Sequence, residues 1–154
     1  MRFRHHVYHC NISTSGNPQL SYINTLRVKG NISGSARLIF NSATNVVKFI
    51  EVLGTVSTVN TSGTDICFHV DNNARLSSCL LHLGYDGVAC SPVMAGANYS
   101  NLVKIYVGDG SSQEHDQAIL DQYLADSAWA AYASKLDLWY NYDGEYKESP
   151  FDEQ

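Results

Sequence analysis

The densest group of candidate ligand residues is the stretch RFRHHVYHC, residues 2–10. As a strand it sets Phe3, His5, Val7 and His9 on one face and Arg4, His6, Tyr8 and Cys10 on the other. Zinc needs three or four ligands in fixed tetrahedral geometry, and His5 with His9 supplies two. The rest would have to come from His69, His82 or Cys79, which no spacing ties to this segment. The stretch is therefore expected to hold no metal. Residues 1–19 are expected to form an N-terminal capping or partner-docking segment.

Other chemistry is weakly supported. No G-x-S-x-G elbow or comparable nucleophile signature occurs. The GDGSS run at 108–112 precedes a helix pattern but lacks the lysine of a phosphate-binding loop, and Asp109 and Glu114 would repel phosphate. Glycoside hydrolysis needs two carboxylates about 5 to 9 Å apart. Only Glu51, Asp65, Asp71 and Asp86 are available before Gly108. Glu51 alternates outward between Ile50 and Val52, and Asp65 and Asp71 read as turn residues. No catalytic residue and no cofactor is assigned.

The segment SAWAAYASKLDLWYNYDGEYKE, residues 127–148, holds both tryptophans and five of the ten tyrosines. Trp129, Tyr132 and Leu136 recur at the spacing of a helix face and read as core. Trp139, Tyr140, Tyr142 and Tyr146 surround a tight-turn signal at Asp143-Gly144. Their rings offer large rigid contact area with a polar handle, so these four are the candidate ligand- or partner-binding residues.

The elements that would position these groups follow from composition and periodicity. A length of 154 residues suits one domain. No apolar stretch approaches the 18 or so residues of a membrane-spanning helix, so no membrane insertion is expected. The basic start lacks the apolar stretch of a signal peptide. Residues 1–108 carry eight bases and four acids, whereas 109–154 carry two bases and eleven acids. No basic-aromatic pattern suggests a nucleic-acid partner. Cys10, Cys67, Cys79 and Cys90 lack zinc-site spacing and read as reduced thiols, with a disulfide among the last three left open.

The chain also repeats itself. INTLRVKGNIS (23–33) superposes on VKFIEVLGTVS (47–57) at an offset of 24, matching Leu26 to Ile50, Val28 to Val52 and Gly30 to Gly54. The apolar-x-apolar pair returns at Leu81 and Leu83, and at Ile105 and Val107. Leu38 with Phe40, and Ile66, Phe68 and Val70, alternate with period 2, and Asn, Gly, Ser and Thr fill the gaps. A fixed period of this kind points to stacked repeats. Residues 109–141 carry a capping box from Ser111 to Glu114 and two amphipathic patterns, in which Ile119 pairs with Tyr123 and Leu120 with Leu124. The expected fold is mainly β: a short, irregular leucine-rich-repeat-like β-solenoid over 20–108, a two-helix C-terminal cap over 109–141, and an acidic tail over 142–154.

Leu102, Ile105 and Val107, then Tyr123, then Trp129, Tyr132 and Ala133 resemble the C-terminal end of BspA-like leucine-rich-repeat proteins. The chain departs from that pattern in its irregular repeat lengths and in Gly108, where a proline usually follows the last strand. The resemblance implies a non-enzymatic attachment or virion structural module, such as a phage fibre, tail or decoration protein. Its partners would be other virion or surface proteins, in an oligomeric assembly, or a host glycan. It would sit in a virion assembled in the host cytoplasm. The alternatives are a secreted bacterial surface adhesin fragment of the same family and a polysaccharide-active enzyme.

Overall fold

Twelve short parallel strands and one α-helix make up the computed structural model, which describes residues 4–15, 19–20, 23–34, 38–40, 48–58, 68–70, 79–89 and 102–147. The strands are β1 (Arg4–Tyr8), β2 (Ile12–Thr14), β3 (Gln19–Leu20), β4 (Ile23–Val28), β5 (Ile32–Gly34), β6 (Leu38–Phe40), β7 (Phe49–Val52), β8 (Val56–Thr58), β9 (Phe68–Val70), β10 (Cys79–Leu83), β11 (Leu102–Val107) and β12 (Leu136–Leu138). They form a six-stranded sheet in the order β1-β4-β7-β10-β11-β12, and two three-stranded sheets, β2-β5-β8 and β3-β6-β9.

Two rows of apolar side chains run across the large sheet and fix its register. Leu26, Ile50, Leu81, Ile105 and Leu136 are cross-strand neighbours, as are Val28, Val52, Leu83, Val107 and Leu138. All ten are buried. A slip of one residue in any strand would turn its apolar set to the opposite face, so burial specifies the pairing. The 24-residue offset is visible here as in-register pairing of β4 with β7 and of β5 with β8.

The expected fold class is corrected. The chain is mixed α/β, and the mainly β, leucine-rich-repeat-like solenoid with a separate two-helix cap is not its architecture. The finding that overturns it lies after β11. Helix α1 (Gln113–Ala125) and a 3₁₀ segment (Ser127–Lys135) lead into β12, which pairs parallel with β11. The helical segment is thus the crossover of a β-α-β unit inside the large sheet, as a parallel strand pair requires. Two physical features separate the repeat pattern from the fold. A constant offset between apolar positions reports parallel pairing, which many architectures share. And Trp129, Tyr132 and Leu136, spaced 3 and 4, fit an α-helix stripe on paper, whereas the backbone takes 3₁₀ geometry and enters a strand at Leu136.

The crossover is locally well specified. Ser112, one residue beyond the expected cap, accepts a hydrogen bond from His115 N, and Asp126 accepts one from Ala128 N to start the 3₁₀ segment. Ile119 and Tyr123 face the core, and Trp129 packs edge-on against Tyr123 at 4.8 Å. Leu124 is exposed. The Tyr123 hydroxyl accepts from Ala89 N, tying the helix to the loop after β10.

Gly108 ends β11 with a φ of 96°, where a side chain is strained, and a Cβ there would overlap the Asp116 carboxylate. Gly108→Ala should therefore destabilise the fold by at least about 2 kcal/mol in urea unfolding.

Candidate functional site

A row of polar groups crosses the other face of the large sheet. Arg27, Glu51, His82, Tyr106 and Asp137 are successive cross-strand neighbours on β4, β7, β10, β11 and β12. Strand alternation places them opposite the apolar rows. Arg27, Glu51 and His82 are nonetheless buried, each about as completely as the core leucines.

Glu51 is the centre. Its Oε1 accepts from Arg27 Nε at 3.0 Å and from Lys29 Nζ at 3.3 Å. Its Oε2 accepts from Arg27 Nη2 at 3.1 Å and from His82 Nδ1 at 2.8 Å. The Arg27 contact is a two-pronged fork, the strong geometry for a carboxylate. His82 Nε2 lies 2.7 Å from the Gly108 carbonyl oxygen. Both ring partners are acceptors, so the ring satisfies both only with a proton on each nitrogen. Burial alone would raise the Glu51 pKa. The hydrogen bonds and charges of His82 and Arg27 outweigh it and hold the carboxyl at about 2.

The cover over this cluster is the C-terminal strap, residues 139–147. Trp139 stacks on His82 at 3.8 Å with an interplanar angle of 11°. Tyr142 stacks on Trp139 at 4.6 Å and meets Tyr106 edge-on at 5.0 Å. Further along, Tyr146 stacks on Phe49 of β7 at 4.2 Å. Arg27 lies over the other partner of this stack, 5.3 Å from the Phe49 ring centre. Burial raises the pKa of Tyr106, Tyr142 and Tyr146, with nearby acids adding to it.

Each end of the strap is pinned. Asp116, fully buried on α1, accepts from Asp109 N, Gly110 N and Tyr140 N. Lys147 Nζ donates to the Trp139 and Tyr140 carbonyls and sits 5.7 Å from the Trp139 ring centre.

Of the four sequence-assigned binding residues, Trp139 is buried, Tyr142 and Tyr146 are half-buried and Tyr140 is exposed. The structure unites Trp139, Tyr142 and Tyr146, but as the lid of an ion cluster. Arg27, Lys29 and His82 were not assigned from sequence. The signal was present: Arg27 to Glu51 is 24 residues and Glu51 to His82 is 31, the same steps that relate the apolar repeats.

Among the described residues, the side chains weighed as metal ligands stand apart in role and exposure. His9 and Cys10 are exposed, His82 is engaged by Glu51 and Gly108, and Cys79 is buried with its thiol pushed up to about 12 by desolvation. The side chains of His5 and His69, together with Cys67 and Cys90, lie outside the described residues. Ligand atoms of Asp109, His115 and Asp116 come within 4.8 Å of one another. Asp116 spends its oxygens on backbone N–H groups there, so this trio organises the loop before α1. No helix among the described residues is long and apolar enough to cross a membrane.

No protein-family model, curated protein or solved structure matches this chain.

Two outcomes test the cluster. Glu51→Gln leaves Arg27 and His82 buried without their counter-charge and should cost about 3–5 kcal/mol at pH 7 by chemical unfolding. The folded-state pKa of Glu51 lies below its ordinary value of 4.5, so its contribution is complete above that value and fades as pH falls toward 2. The stability gap between wild type and Glu51→Gln should therefore shrink by about 3 kcal/mol between pH 5 and pH 2.

Proposed function

We propose that the chain is a non-enzymatic attachment or virion structural module, docked through its N-terminal strands to another protein of a larger assembly. The observation that carries this reading is the state of the sheet edges. The strands β1, β2 and β3 are the first members of the three sheets, and among the described residues nothing pairs with their outer edges. At its opposite end the large sheet stops at β12, an edge strand of only three residues led in by the crossover, whereas β1 offers five. Unpaired backbone groups along an edge are templates for another chain. Tyr8 O accepts from Lys29 N on the β4 side, so by alternation the N–H of Val7 faces outward.

The virion setting, and a host-surface glycan or protein as a further ligand, rest on the BspA-like resemblance of Leu102, Ile105, Val107, Trp129 and Tyr132. A polysaccharide-active enzyme is less well supported. Glu51 is held ionised by Arg27, Lys29 and the hydrogen bond to His82, unlike the raised acid that glycoside hydrolysis uses. Asp86 is an exposed turn residue, and Asp65 and Asp71 lie outside the described residues.

Val7→Pro removes one outward N–H while leaving the bonds to β4, a substitution that edge strands tolerate. On gradient sedimentation of lysate from producing cells, the wild-type chain should travel with fast particles. Val7→Pro should remain in the slow fraction with an unchanged melting midpoint. Release of reducing ends from a bacterial capsule by the wild type, lost in Asp86→Asn, would overturn the reading.

A further inference from the structure

The corner between β1 and β2 limits what the open edge can accept. Within the chain, three strand-corner-strand tiers lie on one another: β1-β2, β4-β5 and β7-β8. At each corner an asparagine reaches to the next tier. Asn11 Oδ1 accepts from Asn31 N at 2.9 Å, and Asn31 Oδ1 accepts from Thr55 N at 2.8 Å. The corner is close enough to demand glycine. A Cβ on Gly30 would come within 2.6 Å of Asn11 Oδ1 and of the Cys10 carbonyl oxygen, and one on Gly54 would overlap Asn31 and Gly30. Approaches of that kind leave no room for a side chain.

The position equivalent to Gly30 and Gly54 in the first tier is Cys10, two residues beyond Tyr8 as Gly30 is two beyond Val28. Cys10 is exposed. By the same geometry its Cβ and Sγ project past the open edge, where a further tier would place its own asparagine and corner backbone. An in-register tier is therefore excluded, while the β1 edge, unpaired on its outer side among the described residues, stays available to a strand that leaves before the corner.

The charge of that strand follows from the first ten residues, which contain two arginines, three histidines and no acid. We infer that the β1 edge takes a single extended, acidic segment of a partner protein as an added strand, and that Cys10 stops the partner from turning the corner onto β2. This is strand addition, in which main-chain bonds supply affinity and side chains supply selectivity. It rests on the docking role of the N-terminal strands given above and specifies the partner.

The probe is a fluorescent seven-residue peptide of alternating valine and glutamate, blocked at both ends, followed by anisotropy. Wild type should bind it at least tenfold more tightly than the valine-lysine counterpart, and Val7→Pro should lose at least tenfold. Continuing the acidic strand with a Gly-Asn corner and a second strand, Ile-Ser-Gly, should change wild-type affinity by less than twofold. The same extension should tighten binding to Cys10→Gly at least tenfold. Equal binding of both charge types, or a tenfold gain for the extended probe on the wild type, overturns the inference. If no peptide binds but particle sedimentation still depends on Val7, the inference fails and the docking reading stands. If sedimentation is indifferent to Val7→Pro, the docking reading itself fails.

Discussion

One buried carboxylate organises the polar face of the large sheet. Glu51 is a charge removed from water, which is costly unless it is fully paired. It meets that condition by drawing on both neighbouring strands at once: Arg27 and Lys29 from the β4 side and His82 from β10. The strands bring their own groups to it only when β4, β7 and β10 are in register, so the cluster and the apolar rows on the opposite face enforce the same alignment. Neither face could slip by a residue without stranding ions on one side and exposing leucines on the other.

That charge cluster in turn explains the aromatic strap. A carboxylate flanked by cations on an open sheet face would be hydrated and weak. Under Trp139, Tyr142 and Tyr146 it is dry and strong. The flat stacking of Trp139 on His82 sets one ring face against the other and seals the imidazole from solvent. The strap and the cluster are therefore one device. The rings gain a polar surface that fits them, and the ions gain the exclusion of water.

Much of this was legible in the sequence, at a particular level. The offset of 24 aligned Leu26 with Ile50 and Val28 with Val52, and these are true neighbours. The same offset applied to the intervening positions would have paired Arg27 with Glu51, because a period-2 strand carries its polar residues in register along with its apolar ones. The fold class was not legible. Parallel pairing leaves the same imprint in many architectures, and nothing local distinguishes a terminal helical cap from a crossover until the strand that follows is recognised. That strand, Leu136–Leu138, is three residues long and was absorbed into a helical stripe. The fate of Trp139, Tyr142 and Tyr146 was hidden for another reason. Whether an aromatic ring is a surface or a lid depends on what lies beneath it, and the underlying residues are distant in the chain.

Asp116 gives the strap a direction. Its oxygens gather backbone N–H groups from the loop at 109–110 and from Tyr140, so the beginning of the strap is riveted to a fully buried side chain of α1. The far end is held by a stacked tyrosine and a half-buried lysine. Thermal opening should therefore start at the far end and run backward, with Phe49 losing its cover first and the contact of Trp139 with His82 the last to part. The order of exposure on this face would then be the reverse of the order in which the chain lays the strap down.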